Sequence, residues 1–155
     1  MRWVTRERPK IDRIACPWLV RRFIDEQAEF LFVPKDKVIA VARDTGAVPY
    51  DVPDVELSHV DERCSFDAFI HKYALENDPA LAQLAVIVRG ADTARLDLAP
   101  QCAGLLAISL GLSQRYPDDH EMLEAGVIVY DALYAWCRDA QSETHSWNPA
   151  PADGA

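Results

Sequence analysis

A basic recognition helix, a basic sheet studded with aromatics and zinc-finger spacing are all missing from this sequence, whose net charge is −9. These absences count against attraction to a polyanion, so no direct nucleic-acid contact is expected. Cysteine is sparse and scattered. Cys16, Cys64, Cys102 and Cys137 form no C-x-x-C pair, which argues against a disulfide scaffold or zinc ribbon and for free thiols in a reducing compartment. Long apolar runs are missing too: the longest, Cys102 to Leu112, is about half of a membrane span. The opening MRWVTRERPK has charges where a signal peptide needs an apolar run. The expectation is a cytoplasmic protein with no membrane insertion and no internal repeat.

What is present is enough apolar content, 50%, for a core in a chain of 155 residues. One domain over residues 1–140 is expected, followed by a disordered tail at 141–155. Short apolar or β-branched stretches at Trp3–Thr5 and Phe30–Val33 predict strands. Pro17 is well placed in the first turn of a helix running to about Glu26, with Asp12 and Arg13 just ahead of it. Pro34 opens a helix ending near Gly46, and the proline-broken segments 48–52 and 55–60 read as edge strands or loops.

From Ser65 onward the pattern is helical. Ser65 is a candidate N-cap for a helix burying Phe66, Phe69, Ile70 and Tyr73. Asp78-Pro79 opens another, with Leu81, Leu84, Ala85 and Val88 aligned. The stretch 98–112 is apolar nearly all round and predicts a central helix. Asp118 and Glu121 begin a long amphipathic helix whose residues Leu123, Val127, Tyr130, Tyr134 and Cys137 step by four and three. The fold class implied is α+β: a small N-terminal mixed sheet with a predominantly helical C-terminal half.

Chemistry concentrates in a few places. The first 22 residues carry seven Arg or Lys against two acids, a local oxyanion site on an otherwise acidic chain. Arg13, Arg21 and Arg22 are the candidate oxyanion clamp, through their guanidinium forks. Alternatively, Arg21 and Arg22 are solvated helix charges paired with Asp25 or Glu26. Cys16, at a helix N-terminus beside Arg13, is the candidate reactive thiol, or else a small buried hydrophobe. The loop from His59 to Cys64 holds His59 and Glu62, side chains typical of first-row metal ligands, and an exposed turn explains it equally well. His120, Glu124 and Asp131 form a stripe bordering an apolar face, and Asp92 projects where an apolar residue is expected if its helix continues past Gly90. A divalent metal held by His59, Glu62, Asp92 and His120 therefore requires those residues to converge on one cavity. By contrast, Asp67 and His71 read as a solvated helix pair.

Taken together, the stretches RERPKIDRIACPWLVRRFID (6–25), AEFLFVP (28–34), RCSFDAF (63–69), IVRGADT (87–93), GLLAISLGL (104–112), PDDH (117–120) and YDALYAW (130–136) resemble the chromate-resistance ChrB family, specifically its C-terminal domain. The resemblance implies an association with chromate resistance. Longer members resemble chromate-responsive regulators with an additional N-terminal region, and related domains occur joined to sulfurtransferase-like modules. The expected function is binding of an oxyanion such as chromate, a metal ion, or both, as a stress sensor or accessory factor. A metal- or thiol-dependent detoxifying enzyme and a module docking onto a regulator or transporter protein are the alternatives.

Overall fold

In the computed structural model, which describes residues 1–146, the opening strand β1 (Arg2–Arg6) lies between β2 (Glu29–Val33) and β3 (Val48–Pro49). Both pairings are parallel, with Trp3 opposite Phe30 and Val48, so the sheet is parallel throughout its named strands. Alternation along the strands sorts side chains onto two faces. Trp3 and Phe30 join the main core. Val4 joins a smaller one with Leu31 and Val33, covered by Val38, Val41 and Ala42 of helix α2 (Val38–Thr45). Helix α2 ends at Gly46 in the left-handed conformation, φ 74°, as expected for a C-terminal glycine.

The helix on the main-core side, α1 (Asp12–Phe23), begins five residues earlier than predicted and carries Pro17 in its interior. Proline has no N–H to give the carbonyl four residues back. Here that carbonyl, on Arg13, instead accepts a hydrogen bond from the Tyr50 hydroxyl at 3.2 Å. A tertiary contact thus replaces the missing bond and lets the helix run through. Ile14, Ala15, Cys16, Trp18, Leu19 and Val20 are all buried, which makes α1 the central helix.

Four helices follow: α3 (Ser65–Lys72), α4 (Pro79–Asp92), α5 (Cys102–Arg115) and α6 (Asp119–Ala135), the last continued by a π turn over Trp136–Ala140. The aligned residues of α3, α4 and α6 are buried or half-buried as the periodicity predicted. Asp78 and Asp118 cap α4 and α6 by accepting from Leu81 and Glu121 amides. At α3, Cys64 and not Ser65 is the cap residue, and the Asp67 carboxylate accepts from the Cys64 amide at 3.0 Å. The expected central helix is misjudged as well. In α5 only Cys102, Leu105 and Ser109 are buried, while Ile108 and Leu110 are exposed, because an all-round apolar sequence does not say which face meets a partner.

The α+β class is as expected. Among the described residues no helix is long and apolar enough to cross a membrane. Within the predicted tail, Gln141 hydrogen-bonds Gln83 and the Cys137 carbonyl, and residues 147–155 lie outside the described residues.

Candidate metal centre at the ends of two strands

The strand order β2-β1-β3 makes the chain leave β1 towards one neighbour and return on the other side. In open parallel sheets, ligands bind beyond the carboxyl ends of the strands at such a reversal. Arg6 closes β1, and Asp51 follows β3 by two residues. Three carboxylates and one imidazole meet there.

Asp12 opens α1 and is fully buried. Its two oxygens accept from the backbone amides of Ser65 at 2.7 Å and Phe66 at 3.2 Å, the first residues of α3. Asp51 has a positive φ of 51°, a conformation aspartate tolerates, and its Oδ1 accepts from the Ser65 hydroxyl at 2.9 Å. Its Oδ2 lies 3.4 Å from Arg13 Nε and 3.7 Å from Arg6 Nη2. Asp92 is the last residue of α4, so the helix does continue past Gly90, and its Oδ1 lies 3.4 Å from the Asp12 amide. His59, from the loop before α3, points Nε2 into the cluster: 3.0 Å from Asp92 Oδ2, 3.2 Å from Asp51 Oδ1 and 3.6 Å from Asp12 Oδ2. Asp12, His59 and Asp92 offer ligand atoms within 4.8 Å of one another.

The backbone beside the cluster is held in a costly shape. Ile11 has φ 45°, which is rare for a β-branched residue, and the buried Tyr130 hydroxyl donates to its carbonyl at 3.1 Å. That turn sets Asp12 at the start of α1.

Acidic groups are crowded together in the cluster. Burial first, then the charges of Asp92 and Asp51, push the Asp12 carboxyl well above the ordinary carboxylate range. Burial and Asp51 likewise raise Asp92, against the lowering effect of His59. The hydrogen bond to Asp51 raises the His59 imidazole despite its partial burial. An unpaired buried charge costs several kcal/mol, on the order of the strongest single interactions in a fold. Two carboxylates and an imidazole form an oxygen-rich donor set with one nitrogen, which suits a first-row divalent ion.

The predicted residues separate sharply. His59 and Asp92 belong to the cluster, and Arg13 braces it through Asp51. His120 does not converge: its ring packs edge-on against Phe32 at 5.2 Å. Glu62 is exposed at the loop tip. Arg21 pairs with Glu124 at 2.8 Å, and Arg22 grips Asp131, so neither joins Arg13 in a clamp. Their partners come from α6, not from Asp25 or Glu26.

Cys16 is not at the helix start but in its second turn, fully buried. Burial and the nearby Asp12 and Asp51 drive its thiol pKa well up, the opposite of an activated nucleophile. Asp67, expected in solvent, is buried and holds Arg89 through two bonds of 2.9 and 2.8 Å. Sequence reasoning missed Asp12 and Asp51 as members of the site. The available signal for Asp12 was a carboxylate just ahead of the apolar run from Ile14 to Val20.

The family model described as "ChrB, C-terminal domain" matches residues 3–137. The chain belongs to the ChrB C-terminal domain family. Every residue of the cluster falls inside the matched span. Protein ChrB of Cupriavidus metallidurans (strain ATCC 43123 / DSM 2839 / NBRC 102507 / CH34) is 33% identical over 132 residues, covering 85% of this chain and 39% of that protein. The chain thus spans about two fifths of the length of this curated relative. No solved structure matches. Membership links this ChrB domain to chromate resistance.

Proposed function

We propose that this ChrB domain binds a divalent metal ion through Asp12, His59 and Asp92 and acts as a cytoplasmic sensor or accessory factor in chromate stress. The observation that carries the reading is the convergence of three ligand atoms from α1, the loop before α3 and the end of α4 within 4.8 Å, around a fully buried carboxylate. Such a site supplies what a sensor needs. An ion bound there joins a half-exposed loop to two helices, so its arrival favours one arrangement of that loop over others. Arg6 and Arg13 hold Asp51 beside the ion, where it serves as a fourth ligand or as acceptor for a metal-bound water. Chromate or a related oxyanion is the stimulus in this reading, and a regulator or transporter protein is the recipient of the signal.

Elemental analysis of the purified, untagged protein tests it. Wild type is expected to carry near-stoichiometric metal, or to take it up from added Mn²⁺ or Zn²⁺. His59→Ala and Asp92→Asn should lose it, and His120→Ala should keep it. Metal-free wild type that also fails to bind either ion in a calorimetric titration would sink the proposal.

A further inference from the structure

Immediately beside the carboxylate cluster lies a second feature that the metal reading leaves unused. A cavity of about 740 Å³ is bounded by the loop after His59 and by the segment that follows Asp92. That volume lies in the range of small-molecule sites and is far larger than one inorganic oxyanion requires. Arg63, Arg89 and Arg95 line it, together with two acids of the loop, Asp61 and Glu62.

Two of them are held in place by carboxylates that leave one corner of the fork open. Arg89 spends Nε and Nη2 on the buried Asp67, and Arg95 spends Nε and Nη2 on Asp97. In both, Nη1 has no protein partner among the described residues. Arg63 makes no side-chain ion pair or hydrogen bond among the described residues. Fixed guanidinium groups with free N–H donors match the planar or tetrahedral oxygens of carboxylates and phosphates. Val60 and Leu98 add apolar wall for the body of a ligand.

We propose that this cavity binds a small organic anion, its phosphate or carboxylate group held by Arg63, Arg89 and Arg95 and its body lying against Val60 and Leu98. Arg89 is the deeper anchor, its side chain 24% exposed against 49% for Arg95. The opposing charges, Asp61 and Glu62, line the same cavity from its exposed loop wall, and Glu62 adds to the field on Arg95. Glu62 therefore competes with an incoming anion. The site goes beyond the metal reading and does not depend on it.

The test is an NMR titration of the ¹⁵N-labelled, metal-free protein with inorganic pyrophosphate and, separately, succinate, at fixed ionic strength. Saturable shifts of the three arginine Nε–H signals and of amides in 60–63 and 93–98 are expected. The probe that saturates names the head group as phosphate or carboxylate, and saturation by both supports a general anion site. Arg63→Ala should weaken binding about tenfold, the worth of a charge-assisted hydrogen bond. Glu62→Gln should tighten it. Arg63 and Glu62 are exposed, so neither change threatens folding. Shifts that never saturate, that scatter to Arg21 and Arg22, or that survive Arg63→Ala unchanged would overturn the proposal.

Discussion

Asp131 shows how one side chain fastens two helices. It lies on α6 and accepts from the buried Trp18 indole at 2.7 Å and from Arg22 Nε at 2.8 Å, both on α1. Burial pushes its carboxyl up, but the bonds from Arg22 and Trp18 outweigh that and hold it below the ordinary range. Asp131→Ala leaves the indole N–H without a partner and should cost about 1–3 kcal/mol in a urea titration. Arg22 is more than half exposed, so its share is screened and small. The sign with pH follows from the lowered value. The charged contribution is present above the unfolded-state pKa of about 3.9 and is lost as pH falls through the folded-state value. The gap between wild type and variant should therefore narrow in acid. A gap that widens below about pH 4 would contradict this account.

Between elements, the glycines report where backbones touch. A Cβ added at Gly90 would sit 2.3 Å from Cys102 Sγ and 2.7 Å from the Arg95 carbonyl, so α4 meets the start of α5 at this point. Gly90→Ala should destabilise by about 1–3 kcal/mol or more, since a backbone oxygen cannot step aside cheaply. It should also disturb Asp92, two residues on. Gly111 is the opposite case, with nothing within 4 Å of where an added Cβ would lie. Gly111→Ala, in the interior of α5, should stabilise by up to about 1 kcal/mol through helix propensity. Thermal melts of the two variants should move in opposite directions. Equal shifts would mean that α5 is not packed as described.

For the whole molecule, the proposed ion would tie stability to the carboxylate cluster. An ion that binds only the folded chain adds about 2.7 kcal/mol at a hundredfold excess over its dissociation constant. Added Mn²⁺ or Zn²⁺ should raise the melting temperature in proportion to the logarithm of its concentration. Because burial and neighbouring charges raise Asp12 and Asp92, protons compete with the ion at a higher pH than for ordinary carboxylates. The ion-induced shift should accordingly shrink as the pH is lowered, and a shift that grows in acid would place the ion elsewhere.

The sequence by itself determined the local structure. Apolar periodicity located α3, α4 and α6, Gly46 and the aspartate caps marked helix ends, and the motif from Arg6 to Asp25 carried the family. These features depend on residues within a turn or two of each other, which is why they are legible. His59 and Asp92 were legible as chemical oddities, a histidine in a loop and an acid on an apolar helix face. Only the tertiary structure decided which groups meet. Asp12, the segment holding Asp51 and His59, and Asp92 are far apart in the chain and are brought together by the parallel crossovers and the start of α3. The Tyr50 hydroxyl extends α1 past Pro17, and that extension buries both Asp12 and Cys16. Arg21, Arg22 and His120 turn towards partners on α6 and β2 for the same reason: where a side chain ends is set by the element packed against it, which local pattern does not encode.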